Sequence, residues 1–189
     1  MEIVLASRSP RRRQLLQAAG LAVEILPSHV DETVLAGESV QDTVLRLAGM
    51  KARACPEAER PVIAADTLVC LDELPIGQPR DLAEAKAMIR NLAGRRHSVF
   101  TGVCVRRGDS LLSELVRTDV CFRDIAEPEI DTYLAHNEVL DKAGAYAVQA
   151  GAACFITAID GPLDNVIGLP VRATLALLQR LAMPTEVTA

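Results

Sequence analysis

The sequence predicts an α/β protein built on a mixed sheet. Three observations carry that expectation. Short β-type runs alternate with segments of helical spacing in the first half of the chain. Pro61–Leu71 is a continuous apolar run broken only by Asp66 and Thr67, which reads as a buried strand. The pattern then shifts to alternation in Ser98–Val105 and Leu111–Phe122, on either side of Arg106-Arg107-Gly108-Asp109-Ser110. That is a hairpin signal. Crossover units and a central hairpin in one chain call for a sheet of mixed direction.

The elements follow in order. Met1–Ala6 is a short β-type run, and Arg11–Ala19 is a helical stretch. Ser9 as N-cap, Pro10 at the first helical position and Gly20 past the end punctuate that helix. Val23–Leu26 reads as a second strand. Ser39–Ala54 carries Val40, Val44, Leu47 and Ala48 at helical spacing, and Leu82–Leu92 is an amphipathic helix closed by Gly94. After the hairpin, Glu127–His136 reads as a helix, Ala153–Ile159 as a strand and Arg172–Leu181 as the last helix.

The chain has 189 residues, the scale of one domain spanning residues 1–189. A chain of this size buries around 70% of its unfolded surface without needing staples. Hydrophobic residues are 50% and charged residues 24%, which excludes disordered, collagen-like and mucin-like classes. Aromatics are 3% with no Trp, so Ala, Leu and Val must fill the core, and base-stacking platforms are disfavoured. The net charge of −5 argues against nucleic acid or an anionic membrane as partner. No apolar run approaches the roughly 18–20 residues that span a bilayer. Met-Glu-Ile-Val-Leu lacks the basic n-region of a signal peptide. Five cysteines without a CxxC pair read as small buried hydrophobes in a reducing, cytoplasmic compartment.

Chemistry could sit in five places. In Ser7-Arg8-Ser9-Pro10-Arg11-Arg12-Arg13, a polar turn enters a helix start crowded with arginines. Cations there oppose the helix dipole, and a bound phosphate would compensate them. The alternative is a solvated basic face. Asp66 interrupts an apolar run, which is costly unless the carboxylate is paired, hydrogen-bonded or metal-bound. At the carboxyl end of its strand it would face the crevice where open α/β sheets bind ligands. The alternative is a strand end that caps a turn. Glu32 could share a metal with Asp66 and Lys51 could reach a phosphate, against a reading of both as surface charge. Asp141-Lys142-Ala143-Gly144-Ala145-Tyr146 with Gln149 suits a loop close to a ligand, or a turn before a strand. Asn165-Val166-Ile167-Gly168-Leu169-Pro170 is a turn into the final helix. No P-loop, GxGxxG, HExxH or GxSxG is present, and His29, His97 and His136 are scattered. Carboxylate-and-metal chemistry on a phosphorylated substrate is what these residue types leave.

Taken together and in this order, Leu5-Ala-Ser-Arg-Ser-Pro-Arg-Arg, Val30-Asp-Glu, Lys51-Ala, Ala65-Asp-Thr, Pro79-Arg-Asp, Asp141-Lys-Ala-Gly-Ala-Tyr and Asn165-Val-Ile-Gly-Leu-Pro resemble the Maf family of nucleoside triphosphate pyrophosphatases. The resemblance implies an inosine-triphosphatase-like fold with two lobes around a cleft, and a homodimer. It implies hydrolysis of a nucleoside triphosphate to the monophosphate and pyrophosphate, with a divalent cation, Mg²⁺ or Mn²⁺, held by Asp66 and Glu32. Asp66, Glu32 and Lys51 would be catalytic, and Ser7, Ser9, Arg11, Arg12, Thr67, Lys142 and Gln149 would bind substrate. Arg11, Thr67 and the Asp141–Tyr146 segment with Gln149 resemble the branch acting on dTTP and UTP rather than the one acting on 7-methyl-GTP. Family members have also been linked to restraint of septum formation, so a nucleotide-binding regulator is the rival reading. The family's Gly-Lys-Pro segment is Gly77-Gln78-Pro79 here, which removes an ammonium, and Ala150 stands where Gly usually follows the Gln.

Overall fold

The computed structural model describes residues 1–183. A seven-stranded sheet has the order β2-β1-β3-β5-β6-β7, with β4 paired to β3. The strands are β1 (Glu2–Leu5), β2 (Ala22–Ile25), β3 (Val62–Leu71), β4 (Leu74–Ile76), β5 (Arg96–Arg107), β6 (Ser110–Phe122) and β7 (Ile156–Asp160). The helices are α1 (Pro10–Ala18), α2 (Val40–Ala54), α3 (Leu82–Leu92), α4 (Glu127–His136), α5 (Leu163–Ile167) and α6 (Val171–Ala182). Parallel pairing of β1 with both β2 and β3, and antiparallel pairing of β3 with β4 and of β6 with β7, make the sheet mixed. Among the described residues, no helix is long and apolar enough to cross a membrane.

Several boundaries differ from the sequence reading. The hairpin strands run closer together than the charged turn suggested, leaving Gly108 and Asp109 as the connection. Residues 152–155 form a 3-10 turn, so the strand expected from Ala153 begins at Ile156. Leu163–Ile167 is a short helix where a plain turn was expected, and β4 carried no periodic signal because it is only three residues long. Asp66 does not end its strand. It is the fifth of ten residues in β3. The crevice argument survives in another form, because β1, the neighbour of β3, pairs with it only through Val4–Val62 and Leu5–Ile63. Beyond Leu5, the Asp66 side of β3 has lost that partner.

The chain forms two compact units. Among the described residues, one comprises 1–66, 101–116 and 168–183; the other comprises 67–100 and 117–167. In the first, strand parity sorts the core into two layers. Ile3, Leu5, Ile63, Ala65, Val103 and Val105 pack with Leu16 of α1 and with Leu177 and Leu178 of α6. Val4, Ala6, Val62, Ala64 and Cys104 pack with Ala48 and Ala52 of α2. These layers are aliphatic, as the aromatic-poor composition required. Parity also places Asp66 with Val62 and Ala64, on the α2 face.

The second unit holds all five aromatic side chains. Phe122, Tyr133, Tyr146 and Phe155 lie in its core among Val69, Ile89, Leu92 and Val120. His97 stacks edge-on against Phe122 and Tyr146, and its Nε2 lies 2.9 Å from the Tyr146 hydroxyl. Burial lowers the His97 pKa to about 4. The imidazole is therefore neutral in the fold at a pH where the unfolded chain protonates it. Unfolding takes up a proton between about pH 4 and the ordinary value of 6.5, so stability falls as the pH is lowered through that window. His97→Gln is expected to flatten that part of a melting-temperature profile against pH, and an unchanged slope would contradict this assignment. The cysteine expectation holds only partly: Cys55, Cys70 and Cys104 are buried, Cys121 is half-buried, and Cys154 is exposed.

Candidate active site

The expected residues of the first unit converge. Ser9 extends the chain before α1 and accepts the Arg12 amide at 3.4 Å, as an N-cap does. The Ser7 hydroxyl accepts from the Ser9 amide at 3.2 Å and from Arg12 Nη1 at 3.1 Å. Arg12 Nε donates to the Gly168 carbonyl at 2.8 Å. The guanidinium is thus turned back across the turn, not out along the helix. Burial lowers the Arg12 pKa, while Asp66 and Glu32 act in the raising direction and Arg11 in the lowering one. The charges of the β1–α1 turn and of Asp66 therefore sense each other.

Lys51 is the centre of the cluster. It lies near the end of α2 with its side chain only 10% exposed, and Nζ meets Asp66 Oδ1 at 2.7 Å and Glu32 Oε2 at 2.9 Å. The buried Asp66 carboxylate is paired, as its position in an apolar strand requires. Glu32 comes from the loop after β2 and keeps 59% of its side chain exposed. Two carboxylates and one ammonium therefore meet at the α2 face of β3. A polar cavity of about 180 Å³ opens beside them, lined by Ala6, Ser7, Arg8, Pro27, Ser28, His29, Glu32 and Lys51. Arg8 Nη2 lies 2.9 Å from His29 Nε2. The Ser28 hydroxyl is buried there with no hydrogen-bond partner among the described residues.

Arg8 stands in the arginine-rich candidate turn without a role of its own assigned to it, and Ser28 and His29 were not expected from the sequence. Arg8 belongs to the same Ser-Arg-Ser-Pro turn that drew attention to Ser7 and Ser9, so a signal existed. Ser28 and His29 follow Pro27 in a loop with no periodicity, and nothing local distinguishes them.

The remaining expected residues belong to the second unit. Thr67 follows Asp66 in β3. Lys142 is held within its own segment, donating to the Asp141 carboxylate and the Glu138 carbonyl. Gln149 is exposed. Gln78, which stands at the position of the family lysine, donates from Nε2 to the Asp141 carbonyl at 3.1 Å, and the Gly77 carbonyl accepts from the Gly144 amide at 3.0 Å. Gly144 has φ of +72°, a conformation that favours glycine. Residues 77–78 thereby pin the Asp141–Ala145 segment. Arg80 is turned away to Glu84, at 2.9 Å.

The donor set fits a hard divalent cation. Such ions commonly take one or two carboxylates and complete their shell with water and substrate phosphates. Asp66 and Glu32 supply two carboxylates within reach of one ammonium. Among the described residues no cluster of three or more His, Cys, Asp or Glu is gathered, so a cage made only of side chains is not the pattern.

A family model for Maf-like proteins matches residues 2–181. The chain belongs to the Maf family. Curated Maf relatives cover nearly its whole length. It is 48% identical over 186 residues to the dTTP/UTP pyrophosphatase of Anaeromyxobacter dehalogenans (strain 2CP-C), covering 96% of this chain and 95% of the relative. It is 42% identical over 172 residues to the protein of the same name from Bacillus cytotoxicus, covering 90% of each. Among solved structures, a Ham1 protein from Staphylococcus aureus aligns with TM-score 0.53 and 16% identity over 96% of this chain and all of that one. A HAM1 protein from Coxiella burnetii aligns with TM-score 0.51 and 14% identity, over 95% and 99% of the two chains. The Maf chain therefore shares the Ham1 α/β fold, and the fold class expected from the sequence is borne out.

Proposed function

We propose that this Maf protein is a dTTP/UTP pyrophosphatase, hydrolysing the triphosphate to the monophosphate and pyrophosphate in the cytoplasm as a homodimer. The observation that carries the reading is the Asp66–Lys51–Glu32 cluster, whose Lys51 and Glu32 line one polar cavity with Ser7 and Arg8 of the turn into α1. The family relatives of that name supply the substrate class.

The chemistry follows from these side chains. Arg11, Arg12 and Lys51 hold the phosphates, with the hydroxyls of Ser7 and Ser9 and the positive end of the α1 dipole beside them. Asp66 takes a proton from water as its oxygen bonds to the α-phosphorus. The bond from that phosphorus to the α–β bridging oxygen breaks, and pyrophosphate leaves. Asp66 and Glu32 would hold a divalent cation, which when bound offsets the charge developing on the phosphates. Thr67 and Gln149 help to select the base, and Lys142 supports the segment that carries Gln149.

The test is pyrophosphate release from dTTP, UTP, CTP, ATP, GTP and 7-methyl-GTP with Mg²⁺ and with Mn²⁺. Selective release from dTTP and UTP is expected, stopped by EDTA and restored by either metal. Release unaffected by EDTA would remove the metal from the account. No release from any nucleotide, with dTTP still raising the melting temperature, would make the chain a nucleotide-binding regulator instead.

A further inference from the structure

We propose that Arg46 and Glu38 form a clasp that sets Glu32 against Lys51, and so act as positioning residues for the reaction; this rests on the pyrophosphatase reading of the site. Glu32 stands on the irregular loop between β2 and α2, with most of its side chain in solvent. A carboxylate so placed needs an external support to hold one position, because each unrestrained side chain and backbone torsion costs entropy to order.

The support is visible on either side of it. The Asp31 carboxylate accepts from the Thr33 amide at 2.9 Å and the Thr33 hydroxyl at 2.6 Å. This turn has Glu32 as its central residue. The Thr33 carbonyl at its exit accepts from Arg46 Nη2 at 3.0 Å. Arg46 grips Glu38 with a two-pronged contact, Nε to Oε1 at 2.6 Å and Nη2 to Oε2 at 2.7 Å. Glu38 Oε2 also accepts from the Thr43 hydroxyl at 2.9 Å and from the Leu35 amide at 3.4 Å.

One guanidinium and one carboxylate thus tie residues 33, 35 and 43 together. Exposed single ion pairs contribute little, but this one is bidentate and shared, with side-chain exposures of 25% and 11%. Its location gives it meaning. Arg46 and Lys51 belong to the same helix, so the element that carries the ammonium also holds the loop that brings Glu32 to it.

Two readouts test the clasp. In pyrophosphate release from dTTP, Glu38→Gln and Arg46→Gln should each lower kcat about ten- to hundredfold, with KM changing less. Adding either to Glu32→Gln should cost less than a further twofold, because the clasp acts through Glu32. Full activity in the single variants, or effects that multiply with that of Glu32→Gln, would overturn the proposal. Hydrogen exchange judges it without catalysis: the Leu35 and Glu38 amides should exchange about tenfold faster in the variants while α2 stays protected. Unchanged exchange in that loop would likewise overturn it. Arg46→Lys keeps the charge but loses the fork, and serves if Arg46→Gln fails to fold. If the unaltered protein releases no pyrophosphate, the functional reading falls, and the exchange result decides the clasp by itself.

Discussion

Asp66→Asn is expected to abolish pyrophosphate release from dTTP and UTP, by roughly a thousandfold or more, while the protein still folds. The scale follows from the carboxylate's two duties, since general base catalysis alone contributes roughly 10²–10⁴-fold. An amide can accept a hydrogen bond from Lys51 Nζ, now 2.7 Å from the carboxylate, but it can neither take a proton from water nor offset charge. Lys51 keeps Glu32 as its ionic partner at 2.9 Å, so the buried ammonium is not stranded. The stability cost should accordingly be about 1–3 kcal/mol, below that of deleting a buried ion-pair partner outright. Ser7, Arg11 and Arg12 are unaltered, and dTTP should still raise the melting temperature. Turnover within tenfold of the unaltered protein would remove Asp66 from the reaction.

Gly102→Ala is expected to give the largest loss of stability of any single methyl group added to the first unit. A Cβ built at Gly102 would lie 2.4 Å from the Val44 carbonyl oxygen, 2.6 Å from its carbon and 2.8 Å from the Leu45 nitrogen. These are backbone atoms of α2, which cannot rotate away as a side chain could. The helix would have to lift off β5 and carry Lys51 with it. Overpacking of this kind costs about 1–3 kcal/mol, occasionally more. For a chain of this length, each kcal/mol lowers the melting temperature by about 2–4 °C. A fall of about 2–12 °C is expected by calorimetry, accompanied by weaker turnover. A melting temperature within about 1 °C of the unaltered protein would show that α2 does not depend on close approach at Gly102.

The same glycine shows what the sequence could and could not disclose. Helix α2 was legible from Val40, Val44, Leu47 and Ala48, because helical spacing is a local signal. That its backbone lies against Gly102, 58 residues later, is a tertiary fact with no local trace. Asp66 stood out because charge inside an apolar run demands a partner, and the structure supplies Lys51. The run Pro61–Leu71 was legible as one strand, and β3 runs through Asp66 from Val62 to Leu71; the alternative of a strand end at Asp66 fails because strand length is set by pairing along β3, not by one polar residue. Glu32 and Lys51 were each open to a reading as surface charge, and the resemblance strengthened their link to Asp66. Glu38 and Arg46 were not singled out at all, since a glutamate before an N-cap and an arginine on a helix are common surface residues. The 3-10 turn at 152–155 was read as the start of a strand because a run of small and apolar residues serves either conformation.

The most direct test of the central claim is hydrolysis of dTTP by the unaltered protein in H₂¹⁸O. The account predicts dTMP and pyrophosphate, with one ¹⁸O in dTMP and none in pyrophosphate, because water guided by Asp66 attacks the α-phosphorus. Label in the pyrophosphate, or dTDP and phosphate as products, would contradict it.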